Sequence, residues 1–346
     1  MAPRALAPVS GEARPAHHRE DGRFRNPWPG STPRGVMGAL RWMAERATRG
    51  RFGLPAPGPA LPTMVPELDG PSASHGETRV TAIGHSTFLL QFGALNILTD
   101  PVFGERASPL SWAGPRRRQP PGIALDELPP IDAVLLSHDH YDHFDDPSVR
   151  ALAAQHPGAL WAAPLGLAAR LRARGVRHVA ELDWWEGFSH GGAELTCVPA
   201  AHFSGRTPFD RDATLWCGWA VSVGGTQVYF AGDTGHHPAF AEVGARLGPC
   251  DVILLPVGAY DPPWMMRPIH MDPEGALDAF AALTATAPGH DTVMVGMHWG
   301  TFRLTDEPAD EPPARTREAW ARRGWPAERL WLLNPGETRR RSGSAP

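Results

Sequence analysis

The chain has 346 residues, 42% hydrophobic and 20% charged. It is long enough for one large domain with a full core or for two smaller ones, and its composition is that of a globular protein rather than a disordered one. A net charge of −4 excludes a global pull toward nucleic acid, so any anion-binding surface has to be local.

Residues 1 to about 35 are rich in Pro, Arg and Gly, and their start is expected to be disordered. Over 36–49, VMGALRWMAERATR, the residues Val36, Met37, Leu40, Met43, Ala44 and Ala47 recur at helical spacing, with Arg41, Arg46 and Arg49 elsewhere on the turn. This predicts a short basic amphipathic helix that either packs on the domain or meets an anionic membrane surface. A Pro-rich linker follows from Pro55 to Pro71, so residues 1–77 read as an N-terminal extension and 78–346 as the main domain. From Thr78, the segments TRVTAI, TFLLQF and ALNILTD are short, apolar or alternating, and punctuated by Gly, which predicts strands. IDAVLLS (131–137) is a buried strand. DPSVRALAAQH (146–156) and PLGLAARLRARG (164–175) are predicted helices. AELTCV, LWCGWAVSV and TQVYFAGD are strands, HPAFAEVGARLG is helical, and DVILLPV is a second buried strand. DPEGALDAFAALTA is a helix with Pro273 in its first turn, DTVMVGMHW is a strand, and PARTREAWARRG is a late helix. The order predicts an α/β sandwich with two sheets inside and helices outside.

Cys197, Cys217 and Cys250 are odd in number and widely spaced, so they read as buried free thiols in a reducing compartment. No run of about 18 apolar residues and no charged-then-apolar leader is evident, and the expected location is cytoplasmic.

The stretch SHDHYDHFDD, Ser137 to Asp146, follows directly on the strand IDAVLLS. In extended chain, residues two apart point the same way, so His138, His140 and Asp142 converge, and a turn brings His143 round. Imidazole and carboxylate together suit zinc, and also iron or manganese. Asp145 and Asp146 read instead as the lead-in to a helix. His202, Asp233 and His298 each stand behind an apolar run at the end of a predicted strand. Seven donors make two sites: His138, His140 and His202 in one, Asp142, His143 and His298 in the other, with Asp233 bridging.

These residues resemble the metallo-β-lactamase fold, a four-layer αββα sandwich whose H-x-H-x-D-H signature is spelled here by SHDHYDH. The likeness continues through GRFRNPWPG (22–30), DPVFGERASPLSWAGPRR (100–117), ELPPIDAVLLSHDHYDH (127–143), ELDWWE (181–186), FAGDTG (230–235), LPVGAYDP (255–262), HMDPEGA (270–276) and HWGTF (298–302). Together these strings resemble the N-acylphosphatidylethanolamine-hydrolysing phospholipases D, from about residue 22 to the end. The resemblance implies two zinc ions on the seven donors and hydrolysis of a phospholipid to phosphatidic acid and an N-acylethanolamine. It also implies a homodimer, and catalytic parts for Asp142, His270 and His85. PPWMMRP (262–268) offers Trp264, Met265 and Met266 for lipid contact and Arg267 for a head group, with Tyr260 as a further substrate contact. GPRRR (114–118) is a basic run that meets lipid phosphates or is simply solvated. Asp139 replaces the neutral amide of the animal enzyme and, alternating outward, is expected to matter little. FSGRTPFDRDA (203–213) also diverges and is expected to set acyl or head-group choice. Peripheral contact with the inner face of a membrane is expected, and a nucleic-acid partner is not. The competing readings are a sugar-phosphate lactonase or nuclease-like hydrolase of the same fold, a di-iron redox protein, and a non-catalytic membrane-associated metal-binding protein.

Overall fold

Strands whose residues are apolar on both faces need cover on both faces, and the chain supplies it with two sheets and a set of helices. The computed structural model describes residues 14–48, 60–68 and 77–342. The expected disorder of the first residues and both ends of the Pro-rich linker lie outside the described residues. In the first sheet, β1 (Glu77–Gly84), β2 (Thr87–Phe92) and β3 (Leu95–Thr99) pair antiparallel. The strands β4 (Ala133–Leu135), β5 (Leu160–Pro164) and β6 (His178–Leu182) continue in parallel from β3. In the second, β7 (Gly187–His190), β8 (Ala193–Val198), β9 (Gly218–Val223) and β10 (Thr226–Phe230) pair antiparallel. They are followed in parallel by β11 (Val252–Pro256), β12 (Val293–Met297) and β13 (Leu330–Trp331). The last strand, β14 (Thr338–Ser342), returns to the first sheet beside β1.

Alternation divides the side chains between layers. Val80, Phe88, Leu90, Ile97 and Leu135 meet Leu195, Trp219, Val221 and Phe230 between the sheets. Their neighbours Ile83, Leu89, Leu98 and Val134 face outward, under α2 (Asp146–Gln155) and α3 (Ala168–Arg172), through Val149, Leu152 and Leu171. Beyond the single turn α5 (Pro263–Met266), helices α4 (Ala239–Leu247), α6 (Pro273–Thr284) and α7 (Glu311–Arg322) bring Phe240, Val243, Leu277, Phe280 and Trp320 into the core of the second sheet. The result is the expected sandwich. All three cysteines are buried and free.

Two local expectations are corrected. The helix expected over 164–175 shrinks to α3, because Pro164 is the last residue of β5 and Gly166 turns the chain with φ 93°. Strands β5, β6, β7, β13 and β14 were not read from the sequence. LWAAP is buried throughout and shows no alternation, and TRRRS is an arginine-rich edge, a composition that discourages further pairing.

Residues 14–34 lie against the domain: Phe24 is in the main core, and His17 and His18 meet opposite oxygens of Asp183 at 2.6 and 2.7 Å. The helix expected at 36–49 is α1 (Gly35–Thr48). It docks through Trp42, whose indole donates to Asp306 at 2.7 Å, and through buried Gly38. Val36, Met37, Leu40 and Met43 point away, 73, 76, 49 and 54% exposed. No helix among the described residues is long and apolar enough to cross a membrane.

Strand direction gathers the polar residues. β1, β3 and β4 run one way in their sheet, and β8, β10, β11 and β12 share one direction in theirs. His85, Asp100, His138, His202, Asp233, Tyr260 and His298 all lie within a few residues of the C-terminal ends of these strands.

Asp145 caps α2, its carboxylate accepting from Ser148 N at 3.2 Å. Asp145→Ala is expected to lower the thermal midpoint by roughly 1–2 °C, equivalent to about 1 kcal/mol. A melting curve superimposable on the parent's would show that the cap contributes nothing.

Candidate metal centre

The turn after β4 folds back at once: the amides of His143 and Phe144 donate to the carbonyl of His140 at 3.0 and 2.7 Å. This loads four donors onto six residues. Asp100, at the end of β3, holds the turn from behind. It accepts from the amide and hydroxyl of Ser137 at 2.7 and 2.6 Å and meets His143 Nδ1 at 2.6 Å, which points Nε2 of that ring inward.

Three ring nitrogens form the first cluster. His138 Nε2 is 2.9 Å from His140 Nδ1, which is 3.1 Å from His202 Nε2. Ser137 Oγ lies 2.9 Å from His138 Nδ1, and Ile269 O lies 2.9 Å from His202 Nδ1. The outer nitrogens of His138 and His202 are thus occupied, and the inner ones of all three face each other. In the second cluster Asp142 Oδ2 lies 3.5 Å from His143 Nε2 and 3.4 Å from His298 Nε2. Asp233 Oδ2 stands between the clusters, 3.0 Å from His298, 3.1 Å from His143 and 3.8 Å from His202. All seven predicted donors therefore lie together at one edge of the sheets.

The chemistry of these donors fits a bound metal. His143 Nε2 and His298 Nε2 lie about 3 Å from Asp233 Oδ2 without the alignment of a hydrogen bond, and Asp233 Oδ1 is buried with no partner at all. Such atoms are costly to bury unless something shared satisfies them, and inward-facing imidazole lone pairs with carboxylates are a divalent-metal set. Burial pulls His138 and His202 far below the usual imidazole range, leaving them neutral and ready to donate lone pairs. Burial works against charge on His298 too, but Asp233 and Asp142 overcome it and raise that group to about 9. Three residues here, His85, Asp100 and His298, have left-handed backbone at φ 59, 30 and 61°, a strain that persists only where surroundings fix it.

The remaining predicted residues divide. His85 Nε2 lies 3.0 Å from Asp142 Oδ2. His270 Nδ1 is 4.0 Å from Asp233 Oδ2 and has no hydrogen-bond partner, and burial brings the ring down to about 4. His270 also lines a cleft of 290 Å³ with His236, Tyr260 and Arg267. Tyr260 is held in the cleft wall by its bond to Glu311 at 2.9 Å, and Arg267 is exposed at the rim. Trp264 belongs to α1 instead: its indole donates to Glu45 at 3.2 Å and Arg41 stacks on its ring at 4.1 Å. Met265, like Trp264, is half-buried and outside the cleft lining. In the basic run, Arg116 is exposed but Arg117 is drawn in, donating to the carbonyls of Gly104 and Val102 over the ring of Phe302.

Asp139 corrects the sequence reading. It is fully buried rather than outward, pairing with Arg170 at 2.6 Å and accepting from Gly205 N at 2.8 Å. The loop after His202 accordingly braces the donor loop. Arg206 donates to the carbonyls of Asp139 and Phe144 and to Asp146, and stacks 3.8 Å above Tyr141. Asp100, at the end of an apolar strand, carried the same signal as Asp233 and was legible. Arg206 carried none.

Comparison with known proteins follows this geometry. A family model described as a beta-lactamase superfamily domain matches residues 95–299. An uncharacterised protein of Mycobacterium tuberculosis is 42% identical over 261 residues, which is 75% of this chain and 68% of that one. N-acyl-phosphatidylethanolamine-hydrolyzing phospholipase D 1 of Caenorhabditis elegans is 37% identical over 257 residues, 70% of each chain. Among solved structures, a metallo hydrolase of Ignicoccus hospitalis superposes with a TM-score of 0.56 at 22% identity, over 76% of this chain and 98% of that one; this likeness is one of fold.

Asp100→Ala should leave His143 free to rotate and weaken metal retention by about 10–100-fold. Competition with a chromogenic chelator measures this, and unchanged retention would mean that Asp100 does not orient the ring.

Proposed function

The chain belongs to the β-lactamase superfamily and is a metal-dependent hydrolase of that fold, and on this premise we propose that it is a dinuclear zinc phosphodiesterase. Its substrates in this reading are N-acylphosphatidylethanolamine-type phospholipids, cleaved to N-acylethanolamine and phosphatidic acid. The observation that carries the reading is Asp233 Oδ2 standing between the two donor clusters, 3.8 Å from His202 and about 3 Å from His143 and His298. The similarity to the C. elegans enzyme supports the choice of substrate.

His138, His140 and His202 would hold one ion, Asp142, His143 and His298 the other, with Asp233 shared. Bound there, divalent cations supply charge neutralisation for the phosphodiester and acidify the attacking water. The chain's own residues do the rest. His85 fixes the Asp142 carboxylate. With its pKa brought down to about 4, His270 meets a phosphate oxygen as a neutral hydrogen-bond donor, not as a charged acid. The cleft beyond His270 receives the head group, with Arg267 at its rim as a cation for a phosphate or carbonyl oxygen. The outward stripe of α1, Val36, Met37, Leu40 and Met43, lies on the helix that grips Trp264, three residues before Arg267. In this reading the stripe dips into the lipid surface from which substrate is drawn.

Product analysis by mass spectrometry after incubation with mixed phospholipids tests the reaction. N-acylethanolamine and phosphatidic acid are expected together, and Asp233→Asn should cut their formation by several orders of magnitude, about the scale seen on losing a central electrostatic group. Release of free fatty acid, or no turnover of any phospholipid, would reject the reading. Replacing Val36, Leu40 and Met43 by Ser should reduce co-sedimentation with anionic liposomes while leaving the melting temperature within about 2 °C, since these side chains are exposed. Unchanged co-sedimentation would remove the helix from the membrane contact.

A further inference from the structure

The string GRFRNPWPG has no part in the proposed chemistry, yet it lies against the metal centre. Asn26 meets His202, 176 residues away, with both ends of its amide. Its Nδ2 donates to His202 O at 2.8 Å and to Ser31 O at 2.6 Å. Its Oδ1 accepts from His202 N at 3.2 Å and from Trp216 Nε1 at 2.9 Å. Two donors and two lone pairs are the whole hydrogen-bonding capacity of a carboxamide, so every position is used.

His202 depends on this contact. It stands four residues past the end of β8, in a segment without regular structure, and is 1% exposed. Among the described residues no other group bonds to its backbone N–H or C=O. Ile269 O engages Nδ1 of the ring and so sets its rotation, while Asn26 fixes the main chain that carries the ring. Neither contact alone holds Nε2 where it faces His138 and His140.

The segment that brings Asn26 is itself well anchored. His17 and His18 share the Asp183 carboxylate. Arg23 donates to the carbonyls of Arg211 and Phe209. Trp28 stacks on His237 at 4.3 Å and 14°, and His237 stacks in turn on Phe240 at 4.1 Å. Anchorage on both sides of Asn26 limits its motion, as a group must be limited if it is to position another.

We propose that residues 17–31 are a strap that completes the metal centre, with Asn26 as the positioning residue for His202. This rests on the reading of His202 as a ligand. No local replacement is available: Asp lacks the donors for the two carbonyls, and Gln is one methylene too long for the paired contact.

The test is metal release from the full-length zinc-loaded protein into a chromogenic chelator, alongside the absorption spectrum of the cobalt-substituted form. His202→Ala should lower the stoichiometry by one metal. Asn26→Ala should keep both metals but release one of them at least about tenfold faster, with the other unchanged and with an altered cobalt spectrum. Asn26→Asp, which retains the acceptor, should shift release in the same direction and serves if the alanine variant does not fold. Arg23→Ala loosens the strap without touching His202 and should speed release of that same metal by a smaller factor than Asn26→Ala. If His202→Ala binds as many metals as the parent, the ligand assignment falls and the proposal with it. If His202→Ala loses a metal but both Asn26 variants release at the parental rate, the assignment stands and the positioning role is overturned. Equal acceleration by Arg23→Ala would reduce the effect to general loosening and overturn it as well.

Discussion

Inward-facing imidazoles and carboxylates, buried together at one edge of two apolar sheets, are the constraint around which the rest is arranged. Buried polar atoms without partners are expensive, and like groups at about 3 Å repel unless a cation or proton lies between them. His138, His140 and His202 are such a set of lone pairs, and the carboxylates of Asp142 and Asp233 both approach His298 beside them. A fold that tolerates this assembly must hold each member so firmly that none can turn away to satisfy itself.

The strand pattern provides the first level of that rigidity. Like-directed strands deliver their following residues to one edge, and a strand buried on both faces is held in place by close packing against both layers. The second level is a shell of hydrogen bonds from behind: Asp100 to His143, Ser137 to His138, Ile269 O to His202 and His85 to Asp142. Loops supply the third. Arg206 braces the donor loop from one side, and the N-terminal strap holds His202 from the other. The left-handed conformations of His85, Asp100 and His298 sit where these levels meet.

The cleft and α1 give this edge an outside. Tyr260 and Arg267 stand beside His270, whereas Trp264, which the sequence grouped with them, serves to seat α1. The amphipathic pattern of α1 was legible, but which of its faces meets the domain was not. The apolar stripe stays outward, and the packing face is built from Gly38, Trp42 and the aliphatic and cationic parts of Arg41 and Arg46. Periodicity identifies a face. It does not say whether that face meets protein.

By itself the sequence determined the sandwich and which seven side chains are candidate donors. Both are written locally: strands as short apolar runs, donors as His and Asp directly behind those runs, and four of the seven inside six residues, 138–143. The short strands β5 and β7 and the edge strand β14 lacked such a pattern, because LWAAP is buried on both faces and TRRRS is polar. Only the tertiary structure decided what holds the donors. Asp139 turned inward to Arg170, Arg206 reached the donor loop 60 residues back, and Asn26 met His202 across 176. A hydrogen bond between distant segments depends on where two groups arrive in space, and nothing in the composition or period of either segment records that arrival.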